Sequence, residues 1–568
     1  MNNLTSPTAS VEGADVGILR VRDAAEVTWS DGADVVVVGF GGAGAATGIQ
    51  AREFGATVLA IDRFEGGGAT AYSGGVVYAG ATRYLRDSGF EDTPKEMFKY
   101  LEAEGSVVDT ETLRRFCEGS NGDIEWLDKH GVPHAGRAFL EKTQFPPDPY
   151  YLYYTGNETM PAYAAIAKPA PRGHRTVAHG LGGHVYYAKL KQAALNLGVR
   201  LSPHTPATRL VVDQSGAVVG VEVNALPTEL HKIRRRLYNA VNPHLPFNNG
   251  RAEKAIMAAR CMEREHRNLR LLRAFGGVVL AAGGFIYNLQ MLGEHRPLLA
   301  KNFKMLLRIG CMGDDGSGIS LGLAAGAATR LMENVFTGRV VSPPYIFPHQ
   351  IIVNRDGKRF VNEAAYSNIV GTGIVAQPGG GKAWLIIDAT SFWAAIKQCL
   401  FPGSGMFRDW GAPALFNIVM GGTRRGRNLS VLAKKVGIDP VGLQKSVNEY
   451  NATVETGIPD PFGKAKEMMH RIAADTPHYA VNTSLDNPFW PTAALTMGGL
   501  DVDETTGMVR RGDGTCINGL YAAGRTAVGV CSGGYVSGMS IADTVFSGRR
   551  AARAATSAAR NRDDQGSV

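Results

Sequence analysis

Residues 34–63 read "DVVVVGFGGAGAATGIQAREFGATVLAIDR". A run of β-branched residues is followed by glycines at Gly39, Gly41 and Gly44, an alanine-rich stretch, and a second apolar run ending at Asp62. That order is strand, tight turn, helix, strand, and it commits the chain to an α/β unit whose helix aims its N-terminus at a phosphate. The three glycines of the GxGxxG spacing serve, in turn, the tight bend, the close approach of backbone to a pyrophosphate, and the packing of helix on strand. Gly42 and Ala43 belong to the same turn. Asp62, with Arg63 beside it, stands where a carboxylate accepts the hydroxyls of an adenosine ribose. The expected ligand is a dinucleotide.

Further glycine-rich turns follow. "RFEGGGATAYSGG" supplies Gly67, Gly68, Thr70, Ser73, Gly74 and Gly75, "GGVVLAAGGF" supplies Gly283, and "INGLYAAGRTAVG" supplies Gly524 and Arg525. A nicotinamide site does not need them. Together, over residues 34–555, they resemble the superfamily of fumarate reductase and succinate dehydrogenase flavoprotein subunits. The resemblance implies an extended FAD and an α/β fold, a Rossmann-like FAD-binding domain with an inserted α+β catalytic (capping) domain. It also places Ala207 at the adenine, Asp315 of "GDDGSGISLGLAAGA" toward the flavin, and Ser540 and Ile541, at the start of the last helix, toward the flavin pyrimidine. Succinate dehydrogenases attach their flavin through a histidine in the second loop. Ala69 corresponds to it here, so the FAD is expected to be noncovalent.

At 568 residues the chain exceeds the ~250 to 300 at which one core divides. The expected divisions are a polar arm over 1–30, the FAD-binding domain over 31–330 and 493–560, and the capping domain over 331–492. Six scattered cysteines without a CxxC pair suit a reducing compartment and offer no metal or iron–sulfur spacing. No charged-then-apolar leader and no long apolar run occur in the sequence, so a cytoplasmic protein is expected.

The net charge of +8 is concentrated between residues 228 and 273, where 11 Lys or Arg meet four Glu. Leu230, Ile233, Leu237 and Val241 recur at helical spacing, and "AEKAIMAARCMEREHRNLRLLRAF" reads as a second helix. A solvated or oligomer-forming hairpin and a peripheral contact with anionic lipid are both open readings. Nucleic acid is not expected, because no recognition fold accompanies the charge.

Fumarate reductases hold a dicarboxylate with arginines and a histidine. In this chain the matching motifs "VNRDGKRFVNE" and "TMGG" and the loop "CSGGYVSG" lack them: "AAYS" follows "FVNE", Ala493, Ala494 and Leu495 precede "TMGG", and Tyr535 stands in the loop. Burying unpaired carboxylates there would cost several kcal/mol each. An apolar substrate with a neutral carbonyl is expected. These replacements resemble the 3-ketosteroid dehydrogenases, and "GYVSG" is more similar to the Δ4-(5α) branch than to the Δ1 branch. The resemblance implies that Tyr366 takes an α proton, with Ser537 as a relay, while a hydride passes to flavin N5 and Tyr535 donates to the ketone oxygen. A phenolate at Tyr366 needs a neighbouring donor or positive potential. The glycines of the Tyr535 loop are expected to let the backbone approach flavin and ketone. Electrons would leave to an external acceptor such as a quinone. Three alternatives remain: a 3-ketosteroid Δ1-dehydrogenase, a flavin-dependent enoate reductase with a substrate other than a dicarboxylate, and a flavin-containing binding or electron-carrier protein.

Overall fold

A computed structural model describes residues 17–244 and 249–566, with side chains to 561. Its main sheet has nine strands. At its centre Asp31–Val38 lies parallel to Leu269–Leu280 on one side and to Val58–Ile61 on the other. Val35 to Val37 are completely buried, as a strand covered on both faces requires. Cys516–Ala522 joins from the far end of the sequence by pairing with Leu269–Leu280 in parallel. The long C-terminal helix, Met539–Gly566, packs against both the sheet and the helix Gly42–Glu53.

Two expectations are corrected here. Residues 1–16 of the expected polar arm lie outside the described residues, and within the rest of it Gly17–Arg20 is an edge strand parallel to Ala207–Val212. The basic segment also ends differently from its helical reading. Helices Thr228–Asn239 and Asn249–Glu265 form the hairpin, but "LRLLRAF" is already strand, antiparallel to Val218–Asn224. Leu272 and Ala274 are buried at period two between neighbouring strands, and this pairing overrides the local helical pattern.

Residues 351–482 contribute a separate antiparallel sheet, ordered Ile351–Val353, Trp384–Asp388, His478–Asn482, Arg424–Gly426. Alternation along Trp384–Asp388 divides its side chains between two apolar clusters. Leu385 and Ile387 pack under helices Ala389–Leu400 and Ala412–Met420, while Trp384 and Ile386 pack under Leu429–Val436 and Pro440–Thr456. A three-stranded sheet of Leu307–Arg308, Ala493–Thr496 and Val335–Gly338 connects this region to the main sheet. It draws one strand from each side of the expected divisions at 330 and 492, and the candidate site lies against it.

Candidate active site

The first turn folds as its glycines dictate. A Cβ on Gly44 would lie 2.0 Å from the Gly39 carbonyl oxygen, so only glycine lets the helix Gly42–Glu53 sit this close to its strand. The cavity beginning at this turn has a volume of ≈ 2230 Å³, beyond the ~300 to 1,000 Å³ of a site for one drug-sized ligand. Every residue expected to hold the cofactor lines it, apart from Gly44, Gly67 and Gly75, which pack behind its wall. Asp62 accepts the backbone N–H groups of Phe40 and Phe64, both at 2.7 Å, which orients its carboxylate at the end of the strand. Ser540 and Ile541 reach the lining from the first turn of the C-terminal helix. Arg525 donates to Asp314 at 2.7 Å, and its Nη1 is buried without a hydrogen-bond partner. An extended dinucleotide fits this wall, and Ala69, which also lines it, offers no nucleophile for a covalent link.

Asp315 occupies the lining already paired, with Arg63 at 2.5 Å and Arg260 at 3.4 Å. Burial pushes its carboxyl up, but these guanidinium groups outweigh that and hold it below the usual carboxylate range. Its neighbour Asp314, which the sequence reading missed, braces the turn instead by accepting the N–H groups of Gly284 and Cys311. The basic hairpin also belongs to this wall. Arg234 is fully buried and meets Glu263 at 2.7 Å; Glu263 pairs in turn with Arg63, and Ile256, Arg260 and Glu263 line the cavity. Of the four Glu among these cations, Glu253 and Glu263 line the cavity, and the sequence does not set them apart from Glu229 and Glu265.

At the other end the lining becomes apolar. Phe336, Val340, Leu307, Ile309, Ala493 and Leu495 surround Tyr366 and Tyr535. The ring of Phe336 stands 6.2 Å from that of Tyr366 and 5.1 Å from that of Tyr535. Tyr366 precedes the helix Ser367–Val375, and its N–H donates to Asn157 Oδ1 at 2.7 Å. Its hydroxyl accepts from Gln144 Nε2 at 3.3 Å. Gln144 and Phe145 come from a loop absent from the sequence-based site.

The proton chemistry departs from expectation at two points. Burial, followed by the neighbouring Tyr535 hydroxyl, pushes the Tyr366 phenol well up, and the Gln144 bond offsets only part of this. The resting group is therefore a neutral phenol. Ser537 lines the cavity, but its hydroxyl meets Tyr153 Oη at 3.4 Å rather than bonding Tyr366. Tyr153 is completely buried behind the wall, and burial pushes its phenol up to about 12. Burial likewise raises the Tyr535 phenol, which keeps it protonated and able to donate. The glycines beside Tyr535 also have a different cause. A Cβ on Gly534 would lie 1.5 Å from the Glu104 carbonyl oxygen, so its requirement comes from a crossing segment of the protein's own backbone.

The sequence matches the family described as FAD binding domain over residues 34–540. The chain belongs to that family. FAD is accordingly its cofactor, and the geometry above supplies the cradle. Within this family the chain is 38% identical to the 3-oxo-5-alpha-steroid 4-dehydrogenase of Comamonas testosteroni, across 89% of this chain and 95% of the relative. It is 26% identical to the 3-oxosteroid 1-dehydrogenase of Mycolicibacterium smegmatis, across 87% and 92%. Among solved structures, 3-ketosteroid-delta4-(5alpha)-dehydrogenase from Rhodococcus jostii RHA1, in complex with 4-androstene-3,17-dione, superposes with a TM-score of 0.78 at 30% identity, covering 95% of this chain and 100% of that one.

Proposed function

We propose that this chain dehydrogenates a saturated 3-ketosteroid, forming the C4=C5 bond conjugated to the C3 ketone. The observation that carries this reading is the pair of phenols, Tyr366 buried and Tyr535 partly buried, flanking Phe336 at the apolar end of a cavity continuous with the dinucleotide cradle. Greater identity to a 4-dehydrogenase than to a 1-dehydrogenase supports the Δ4-(5α) regiochemistry.

Tyr535 Oη donates to the C3 oxygen and stabilises the charge that develops there. Tyr366 Oη takes the proton from C4, whose electron pair moves toward C3 and then forms C4=C5. Bound FAD supplies the acceptor for the hydrogen that leaves C5 with its electron pair. Because the Tyr366 phenol is raised, it must first release its own proton to water in the open cavity before the steroid enters, and Gln144 Nε2 holds the resulting phenolate. Ser537 lines the same cavity and shares its hydroxyl with Tyr153 at 3.4 Å, apart from the two reacting phenols.

The enzyme is proposed to work in the cytoplasm and to pass its electrons to a diffusible acceptor such as a quinone. Among the described residues no helix is long and apolar enough to cross a membrane. The decisive experiment is product analysis after anaerobic mixing with a saturated 5α-3-ketosteroid. The reading requires flavin bleaching and a Δ4-3-ketone; a Δ1 product, or oxidation of reduced protein by an enoate without steroid turnover, would replace it.

A further inference from the structure

Beside the substrate end of the cavity lies an apolar surface that the proposed reaction does not use. Helix Ala389–Leu400 and helix Ala412–Met420 pack against each other and against the π-helical turn Phe407–Gly411. Their outward faces carry Trp393 (63% exposed), Phe401 (77%), Phe407 (50%), Val419 (67%) and Met420 (55%). Trp393 and Leu400 share one helical face, i and i+7, while Phe416 and Met420 share the other at i and i+4. Large apolar side chains concentrated in this way mark a contact surface.

Along this stretch of chain the charge is one-sided. From residue 389 to 427 the cations are Lys397, Arg408, Arg424, Arg425 and Arg427, and the single acid, Asp409, is already bonded to Arg408. Exposed Trp and Phe bordered by Lys and Arg match the boundary between acyl chains and anionic headgroups. The patch also adjoins the cavity. Asp409 and Trp410 line it, and the Trp410 ring stacks on Phe145 at 6.0 Å. A second copy seated here would cover that approach, whereas a bilayer would feed it.

We propose that this face docks the protein on an anionic lipid surface, so that apolar substrate enters the cavity past Trp410 without crossing water. The docking stands on the patch alone; the entry route rests on the steroid reading.

The test uses the full FAD-loaded protein and co-sedimentation with phosphatidylglycerol/phosphatidylcholine vesicles. The intact protein should sediment. Binding should fall about tenfold or more in Trp393→Ser/Phe401→Ser/Val419→Ser and in Arg424→Glu/Arg425→Glu, and should weaken with salt because exposed charges are screened beyond ~8 Å at physiological ionic strength. Lys232→Glu/Arg236→Glu, on the basic hairpin, should bind as the intact protein does. No sedimentation of the intact protein, unchanged sedimentation of the triple variant, or loss caused by the hairpin variant alone overturns the proposal. So does a triple variant that changes oligomeric state by light scattering while retaining vesicle binding. Flavin reduction by a dissolved steroid should be equal in all four proteins. If it is absent from all of them while sedimentation behaves as stated, the steroid reading fails and the docking stands.

Discussion

Gln144 Nε2 donates to Tyr366 Oη at 3.3 Å, and it does so from a loop more than two hundred residues away in sequence. An amide donor favours the phenolate over the phenol. Gln144→Leu keeps the bulk and removes the donor. Steroid-dependent flavin reduction should slow about tenfold, since a hydrogen bond to a charged group contributes ~1.5 kcal/mol or more. Stopped-flow rates across pH provide the check: the profile should also move to higher pH, and an unmoved profile would make Gln144 a spacer.

The raised Tyr366 phenol sets the direction of the pH dependence. In the proposed mechanism the active form has lost that proton, so the fraction of competent enzyme grows with pH from neutrality through the ordinary phenol value of about 10 and beyond. Tyr535 must keep its proton, and burial raises it as well, so the donor is not lost over the same range. Flavin reduction by a saturated 3-ketosteroid should therefore rise with pH. A flat or falling profile between pH 7 and about 9.5 would contradict the assignment of base and donor.

Glu363, three residues before Tyr366, is completely buried. It pairs with Arg359 and Lys464, both at 2.9 Å, and accepts the Ile352 N–H at 2.8 Å. Burial pushes its carboxyl up, but Lys464 and Arg359 hold it below the ordinary range. Its stabilising contribution is thus present above about pH 4.3, the unfolded value, and is lost as pH falls through the lower folded value. Glu363→Gln leaves two buried cations with Asp460 as their remaining acid and should cost ~3 to 5 kcal/mol. Denaturant unfolding at pH 7 checks this, and a variant as stable as the parent would show the network to be dispensable.

Acid precipitation should leave a yellow supernatant over a colourless pellet, because Ala69 has only a methyl group to present to the cavity. Flavin retained in the pellet would require another attachment point. His244, which lines the cavity and whose Nε2 lies 2.6 Å from the Tyr72 carbonyl oxygen, would be the first to substitute.

The cradle was legible because its signal is local. Gly39 to Asp62 specify strand, turn, helix and acid within thirty residues, and the Gly44 contact depends only on that unit. Tyr366 and Tyr535 were legible as replacements for charge in motifs whose spacing is retained. What escaped was long-range. "LRLLRAF" has a helical pattern until strands on both sides fix its period at two. Arg234 reads as one of a solvated cluster, yet Glu263 draws it into the cofactor wall. The contact between Ser537 and Tyr153 spans 384 residues of sequence, and Asp314 differs from Asp315 only in which way each carboxylate turns.

In the proposed reaction Tyr535 steadies the developing charge on a ketone while Tyr366 takes the adjacent proton. Anaerobic stopped-flow reduction of Tyr535→Phe and Tyr366→Phe by a saturated 5α-3-ketosteroid, with deuterium exchange at C4 followed in parallel, tests it most directly. Both variants should retain FAD. Loss of the Tyr535 donor should slow reduction by ~100-fold or more, as removal of one oxyanion donor does elsewhere, and loss of the Tyr366 base should abolish exchange as well as reduction. Reduction of both variants at the parent rate would show that the two phenols only pack against Phe336 and take no part in the chemistry.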